Sequence, residues 1–262
     1  MPLRTALTPM RTVETHDVGP VSVTVTGHDG AQTFLLLHGA GGPFTVNPFA
    51  DLLAARRHAR VLVPTHPGFA GTERPETLTG VRSLAQLYVD LFERLDLFDI
   101  TVIGSSLGGW VAAEIALLAN RRVSGAILVN AVGIEVEGHP ITDVSALSPA
   151  GLIKLSFHDP SRIPVFGGPG AASEPGADIQ ALATYAGRTM SDPTLLERLA
   201  KIDLPVVVAW GESDGIFDLE YGRAYADAIP HARFVPIPES GHLPTLETPE
   251  RLLAALWPLD AD

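Results

Sequence analysis

Val102-Ile103-Gly104-Ser105-Ser106-Leu107-Gly108-Gly109-Trp110 is the stretch on which the reading of this chain turns. An apolar run, Ile100 to Ile103, ends in a glycine. Two serines and two more glycines follow, and an amphipathic segment opens at Trp110-Val111-Ala112-Ala113-Glu114-Ile115. Gly104-x-Ser106-x-Gly108 fits a strand–turn–helix elbow. The turn is so tight that its central residue is held in a strained backbone conformation, and the residues two before and two after it must lack side chains. The serine oxygen then stands at the end of a strand and the start of a helix, whose dipole favours developing negative charge. Ser106 is the candidate nucleophile. Ser105, one position out of register, is read as structural.

The composition narrows the field. With 262 residues the chain has room for one large α/β domain or two small ones, and with 46% of them hydrophobic it has ample material for a buried core. It has no cysteine, which excludes disulfides, zinc–thiolate sites and a cysteine nucleophile. The formal net charge of −12 argues against nucleic acid, whose binding needs clustered Lys and Arg. The same charge disfavours strongly anionic substrates and membrane surfaces. Met1 to Asp17 lack the apolar core of a secretory signal, and no apolar run approaches the ~20 residues of a membrane span. A cytoplasmic location is expected.

Working outward, Val21–Thr26 alternates as a half-exposed strand, and Thr33–Leu37 is an apolar run suited to a strand buried on both faces. It enters the glycine-rich loop His38-Gly39-Ala40-Gly41-Gly42-Pro43-Phe44. Pro48–Ala55 reads as a helix with Asn47 as N-cap, Arg60–Pro64 as a buried strand, and Ser83–Leu95 as a helix with apolar residues at helical spacing. Gly125–Val132, Leu204–Trp210 and Arg233–Ile237 read as further strands, Leu219–Ile229 as a helix. A last helix is expected over Pro249–Leu256, with Thr248 as N-cap. Strands alternating with helices imply a parallel sheet with right-handed crossovers. The alternation stops from Glu135 to Ala200, where prolines, a glycine cluster and three helical patches (Pro149–Leu155, Asp178–Arg188, Pro193–Ala200) stand instead. A long irregular insertion of this kind is expected to be a lid or binding element.

Ligands of open parallel sheets bind beyond the carboxyl ends of the strands. Four loops leave such ends and carry chemistry: the glycines at 39, 41 and 42, Ser106, Asp214 within Gly211-Glu212-Ser213-Asp214, and His242. A serine needs a base to take its proton, and the base needs a carboxylate to fix its tautomer. Asp218 is an alternative acid four residues from Asp214. Asn130, after the Gly125–Val132 strand, is not a carboxylate and offers no acid there.

The chain resembles the α/β-hydrolase superfamily over nearly its whole length. His38-Gly39-Ala40-Gly41-Gly42 is similar to that family's oxyanion loop. Pro67-Gly68-Phe69-x-Gly71 is similar to its P-G-F-G loop, with Thr65 where many relatives carry Asp. Gly104–Gly109 is similar to the elbow, Trp210-Gly211-Glu212-x-Asp214 to the acid loop and Gly241-His242 to the base loop. The resemblance implies a mostly parallel eight-stranded sheet flanked by helices. Residues 1–134 and 201–262 would form the core, and a small cap, 135–200, would be inserted after the sixth strand. It implies Ser106 as nucleophile, His242 as general base and then acid, Asp214 as the carboxylate orienting it, and the backbone N–H groups of Ala40 and Leu107 as oxyanion hole. Phe44, Trp110, Phe157, Phe166, Tyr185, Met190 and Leu243 are candidates for an apolar pocket wall. His38 is expected to brace its loop; His66 is read as a loop residue, with the pocket entrance as its alternative, and His158 and Asp159 as a cap surface pair, with polar pocket residues as the alternative.

The implied function is a serine hydrolase for carboxylic esters of small or medium, largely neutral substrates, with no metal or organic cofactor. The alternative enzyme cleaves carbon–carbon bonds in diketones from aromatic ring cleavage. Those relatives often place Trp after the catalytic His, where this chain has Leu243, and an Arg in the cap, for which Arg162 and Arg188 are available. A non-catalytic ligand receptor on the same fold is the third reading.

Overall fold

Alternation along the central strands divides the hydrophobic core in two. In the computed structural model, which describes residues 11–15, 19–28, 32–142, 147–162 and 175–257, all of β3 (Thr33–Leu37) is buried. Leu35 and Leu37 enter one core and Phe34 and Leu36 the other. The same split recurs in β4 (Arg60–Pro64), with Leu62 against Val61 and Val63, and in β6 (Val123–Val129), with Leu128 against Ile127 and Val129. Successive side chains point to opposite faces of a strand, so uniformly apolar strands require helices on both sides.

One face is covered by α2 (Val81–Arg94) through Leu84, Leu87, Tyr88 and Leu91, by α3 (Leu107–Leu117), and by α7 (Leu219–Asp227) through Tyr221 and Tyr225. The other is covered by α1 (Asn47–Arg57) through Phe49 and Leu53 and by α9 (Pro249–Leu256) through Leu252 and Leu256.

The remaining strands are β1 (Arg11–Thr15), β2 (Gly19–Gly27), β5 (Ile100–Ser105), β7 (Val206–Gly211) and β8 (Arg233–Ile237). The eight strands form one sheet in the order β1-β2-β4-β3-β5-β6-β7-β8. Pairing from β4 through β8 is parallel, and β2 joins β1 and β4 antiparallel. From β3 the chain goes first to β4 on one side and then, through α2, to β5 on the other. The carboxyl ends of β3 and β5 therefore flank the point where strand order reverses, the crevice in which such sheets bind ligands.

Several boundaries differ from the sequence reading. α1 begins at Asn47 itself, with Val46 at the cap and no side-chain cap bond. α2 begins at Val81, because the Ser83 hydroxyl reaches back to the Gly80 N–H (3.1 Å) and secures the first turn there. Thr248 precedes α9 as expected, yet its hydroxyl bonds Ser240 at 2.7 Å instead of capping the helix. β1 and the one-turn α8 (Pro244–Glu247) had no sequence signal.

Between β6 and β7 the described residues form α4 (Pro149–Ser156), α5 (Pro175–Ala186) and α6 (Leu195–Leu199). The end of this stretch is fastened to α3: Arg198 donates to both oxygens of buried Glu114, at 2.8 and 2.6 Å. Phe166, the 167–170 glycine cluster and the Arg162 side chain lie outside the described residues. No helix among the described residues is long and apolar enough to cross a membrane.

Candidate active site

Ser106 lies between β5 and α3 with φ 55° and ψ −116°, a conformation side chains rarely adopt. The glycines around it are steric necessities. A Cβ on Gly104 would lie 2.0 Å from the Gly108 carbonyl oxygen, and one on Gly108 would lie 2.4 Å from that of Leu37. The Ser106 carbonyl accepts from Gly109 at 2.9 Å and its N–H donates to Val129 at 2.9 Å, tying the turn to both the helix and β6. Leu107 is the first residue of α3, where a backbone N–H has no carbonyl one turn back to meet it.

The loop after β3 reaches the same point. A Cβ on Gly39 would lie 2.9 Å from that of Ser106, so the backbone at Gly39 passes directly against the serine. Two buried histidines hold this loop. His38 Nδ1–H donates to the Gly39 carbonyl (2.7 Å), and its Nε2 accepts the His66 backbone N–H (3.0 Å). His66 Nε2–H donates to the His38 carbonyl (2.9 Å), and its Nδ1 accepts the Tyr88 hydroxyl. Carbonyls only accept and amides only donate, so these partners fix both tautomers. Burial lowers the His38 pKa to about 4, against the bond to the Gly39 carbonyl and the charge of Asp178, which raise it. Burial, with His38 as neighbour, pushes His66 well below the ordinary value. Both rings are neutral struts. His66, expected as an ordinary loop residue, is fully buried at the centre of this network.

Asp214 and His242 come from the loops after β7 and β8. The loops touch, since a Cβ on Gly211 would lie 2.1 Å from the Gly241 carbonyl oxygen. His242 Nδ1 lies 2.8 Å from Asp214 Oδ2. A carboxylate only accepts, so this bond places the proton of the neutral ring on Nδ1 and leaves the Nε2 lone pair able to accept one. The other Asp214 oxygen accepts from the Ile216 (2.8 Å) and Phe217 (3.1 Å) amides. Asn130 completes the set: its Nδ2 donates to Asp214 Oδ2 at 2.6 Å while its Oδ1 accepts the Gly211 N–H at 3.2 Å. The sequence marked Asn130 only for not being an acid; here it is a direct hydrogen-bond partner of Asp214. Asp218 is no alternative acid. It caps α7 through the Tyr221 N–H (2.9 Å) and binds His139 (2.7 Å). Burial opposes its ionisation, but the bonds from His139 and the Tyr221 amide outweigh it and lower its pKa.

The candidate wall residues separate by position. Trp110 follows Ser106 by one helical turn and is buried against Gly133. Phe157 lies against Gly241, and Leu243 directly follows His242 and is half-buried. Phe44 is 43% exposed beside the glycine loop. Tyr185 is a strut: its hydroxyl donates to the Pro67 carbonyl (2.9 Å) and its ring stacks on Phe69. Met190 is partly buried and packs against the core on the α2/α3 face of the sheet. His158 and Asp159 are more than a surface pair. Their amides bind Glu247, and His158 Nδ1 meets Ser213 Oγ at 2.8 Å. Among the described residues no group of three or more His, Asp or Glu is placed to hold a metal ion.

Comparison with known proteins fits this geometry. The model of the alpha/beta hydrolase family matches residues 34–255. The "Uncharacterized hydrolase YugF" of Bacillus subtilis (strain 168) is 25% identical over 240 residues, covering 84% of this chain and 87% of that one. A 2-hydroxy-6-oxo-6-(2'-aminophenyl)hexa-2,4-dienoic acid hydrolase of Metapseudomonas resinovorans is 25% identical over 249 residues, covering 84% and 80%. The naproxen esterase (carboxylesterase NP) structure from Bacillus subtilis superposes with a TM-score of 0.75 at 19% identity, over 95% of this chain and 90% of that one.

Proposed function

The chain belongs to the alpha/beta hydrolase family, and we propose that it hydrolyses carboxylic esters of small to medium, largely neutral substrates through an acyl-enzyme. The observation that carries this reading is the strained Ser106, raised on its elbow directly against the Gly39 backbone. In the proposed reaction His242 Nε2 takes the Ser106 hydroxyl proton as Oγ attacks the ester carbonyl. The N–H groups of Ala40 and Leu107 receive the oxyanion of the tetrahedral intermediate. Its collapse breaks the C–O bond, and His242 gives the proton to the departing alcohol. Water, deprotonated by His242, then releases the acid by the same steps in reverse. Asp214 holds the imidazole and stabilises its positive charge. Residues 135–200 act as the cap, with the substrate between them and Ser106. The reading needs a small-molecule substrate and no metal or organic cofactor, in a cytoplasmic protein.

Carbon–carbon hydrolysis is the second reading, favoured by the likeness to the dienoic acid hydrolase of Metapseudomonas resinovorans. Leu243 after His242 speaks for the ester. The test is hydrolysis of p-nitrophenyl esters from acetate to decanoate by wild type and Ser106→Ala. Wild-type turnover should fall by ~10³-fold or more in the variant, and the chain-length optimum sizes the pocket. Equal activity in the two proteins overturns the proposal.

A further inference from the structure

Glu247, the last residue of α8, takes no part in the proposed chemistry, yet its carboxylate is buried, with 6% of the residue exposed. A buried carboxylate persists only where donors replace its water. Here all three donors are main-chain amides. Oε2 accepts from Gly241 at 2.8 Å and from His158 at 3.2 Å, and Oε1 accepts from Asp159 at 2.7 Å. Gly241 precedes His242. His158 and Asp159 follow α4, in the insertion between β6 and β7.

The same two segments meet twice more. The His242 N–H donates to the Ser156 carbonyl at 2.7 Å. Gly241 is packed so closely that a Cβ there would lie 2.4 Å from the Ser156 oxygen. Nearby, the Gly215 N–H donates to the Leu155 carbonyl at 2.9 Å, so the end of α4 also touches the loop of Asp214. The end of α4 is thus a wall of the acid–base pair, and one side chain, Glu247, binds that wall to the base loop.

We propose that Glu247 is a positioning residue for His242. By fastening residues 158–159 to Gly241 it sets the place of the imidazole relative to Ser106. The role rests on the serine-hydrolase reading above. Misplacing a base by about 1 Å costs ~10²-fold in rate. The loss falls on kcat, because proton transfer is made in the transition state while substrate binding does not use it.

The experiment compares wild type with Glu247→Ala, Glu247→Gln and Glu247→Asp. For each, kcat and KM are measured on p-nitrophenyl butyrate, with the rate of irreversible labelling by a fluorophosphonate and the thermal melt by circular dichroism. Glu247→Ala should melt cooperatively, lose ~10²-fold in kcat and in labelling rate, and keep KM within about threefold. Glu247→Gln should lose less, because its amide oxygen still accepts from Gly241 and His158 and only the Asp159 bond is lost. A folded Glu247→Ala with wild-type kcat and labelling overturns the proposal and leaves Glu247 a stabilising contact only. If that variant does not fold, the Gln and Asp variants decide: wild-type rates in both overturn the role, and a graded loss of kcat supports it. A wild type that neither hydrolyses nor labels refutes the serine-hydrolase reading, and the role of Glu247 falls with it.

Discussion

Lowering the pH from 7 to 5 should destabilise this protein through His38 and His66. The His38 pKa is lowered from 6.5 to about 4 by burial, and His66 is lowered in the same direction by burial and its neighbour. Between the two pKa values the unfolded chain binds protons that the folded protein cannot. The contribution is therefore complete above about pH 6.5 and is lost as pH falls toward about 4. At pH 5 the His38 difference alone amounts to ~2 kcal/mol, and the His66 shift acts in the same direction. That is a large share of the ~5–15 kcal/mol by which domains are stable. Asp192 and Asp218, whose pKa values are lowered, act only below their ordinary value of 3.8 and leave this window clear. The assay is urea unfolding followed by tryptophan fluorescence at half-unit steps from pH 7.5 to 4.5. Stability should fall as the pH is lowered through this window, and His66→Gln should reduce the slope. A flat profile in wild type would refute the assignment of both rings as neutral struts.

Two further outcomes follow from the contacts. Asn130→Ala removes one of the two donors to Asp214 Oδ2, and kcat on the nitrophenyl esters should fall ~10-fold; an unchanged kcat would show that the Ile216 and Phe217 amides suffice. Gly108→Ala sets a Cβ 2.4 Å from a main-chain oxygen, whereas at Gly125 the nearest atom is 3.4 Å away. The first should cost ~3 kcal/mol or more and the second within ~1 kcal/mol in urea unfolding; equal midpoints would contradict the packing at the elbow.

Much of the architecture is readable in the chain because its signals are local. The apolar run at 33–37 requires cover on both faces, and the spacing of Gly104 and Gly108 about Ser106 reflects oxygen atoms within a few residues of the turn or on the neighbouring strand. Pro249 marks the start of α9 with no outside help. The fine structure was less legible wherever a polar group had a choice of partner. The Thr248 hydroxyl could cap a helix or meet Ser240, and only the approach of the base loop decides for Ser240. His66 reads as an ordinary loop residue until Tyr88, on a helix 22 positions later, comes beneath it.

The sequence by itself determined the strand–helix alternation, the elbow and the identities of the groups carried on the loops. Tertiary structure decided which of them meet. Asn130 supports an acid 84 positions away, and Glu247 binds amides 88 and 89 positions away. Backbone periodicity and glycine sterics act over one turn or one pleat, so they are written in neighbouring residues. The pairing of buried polar groups depends on which strand ends the folded sheet brings together, and no local pattern encodes it.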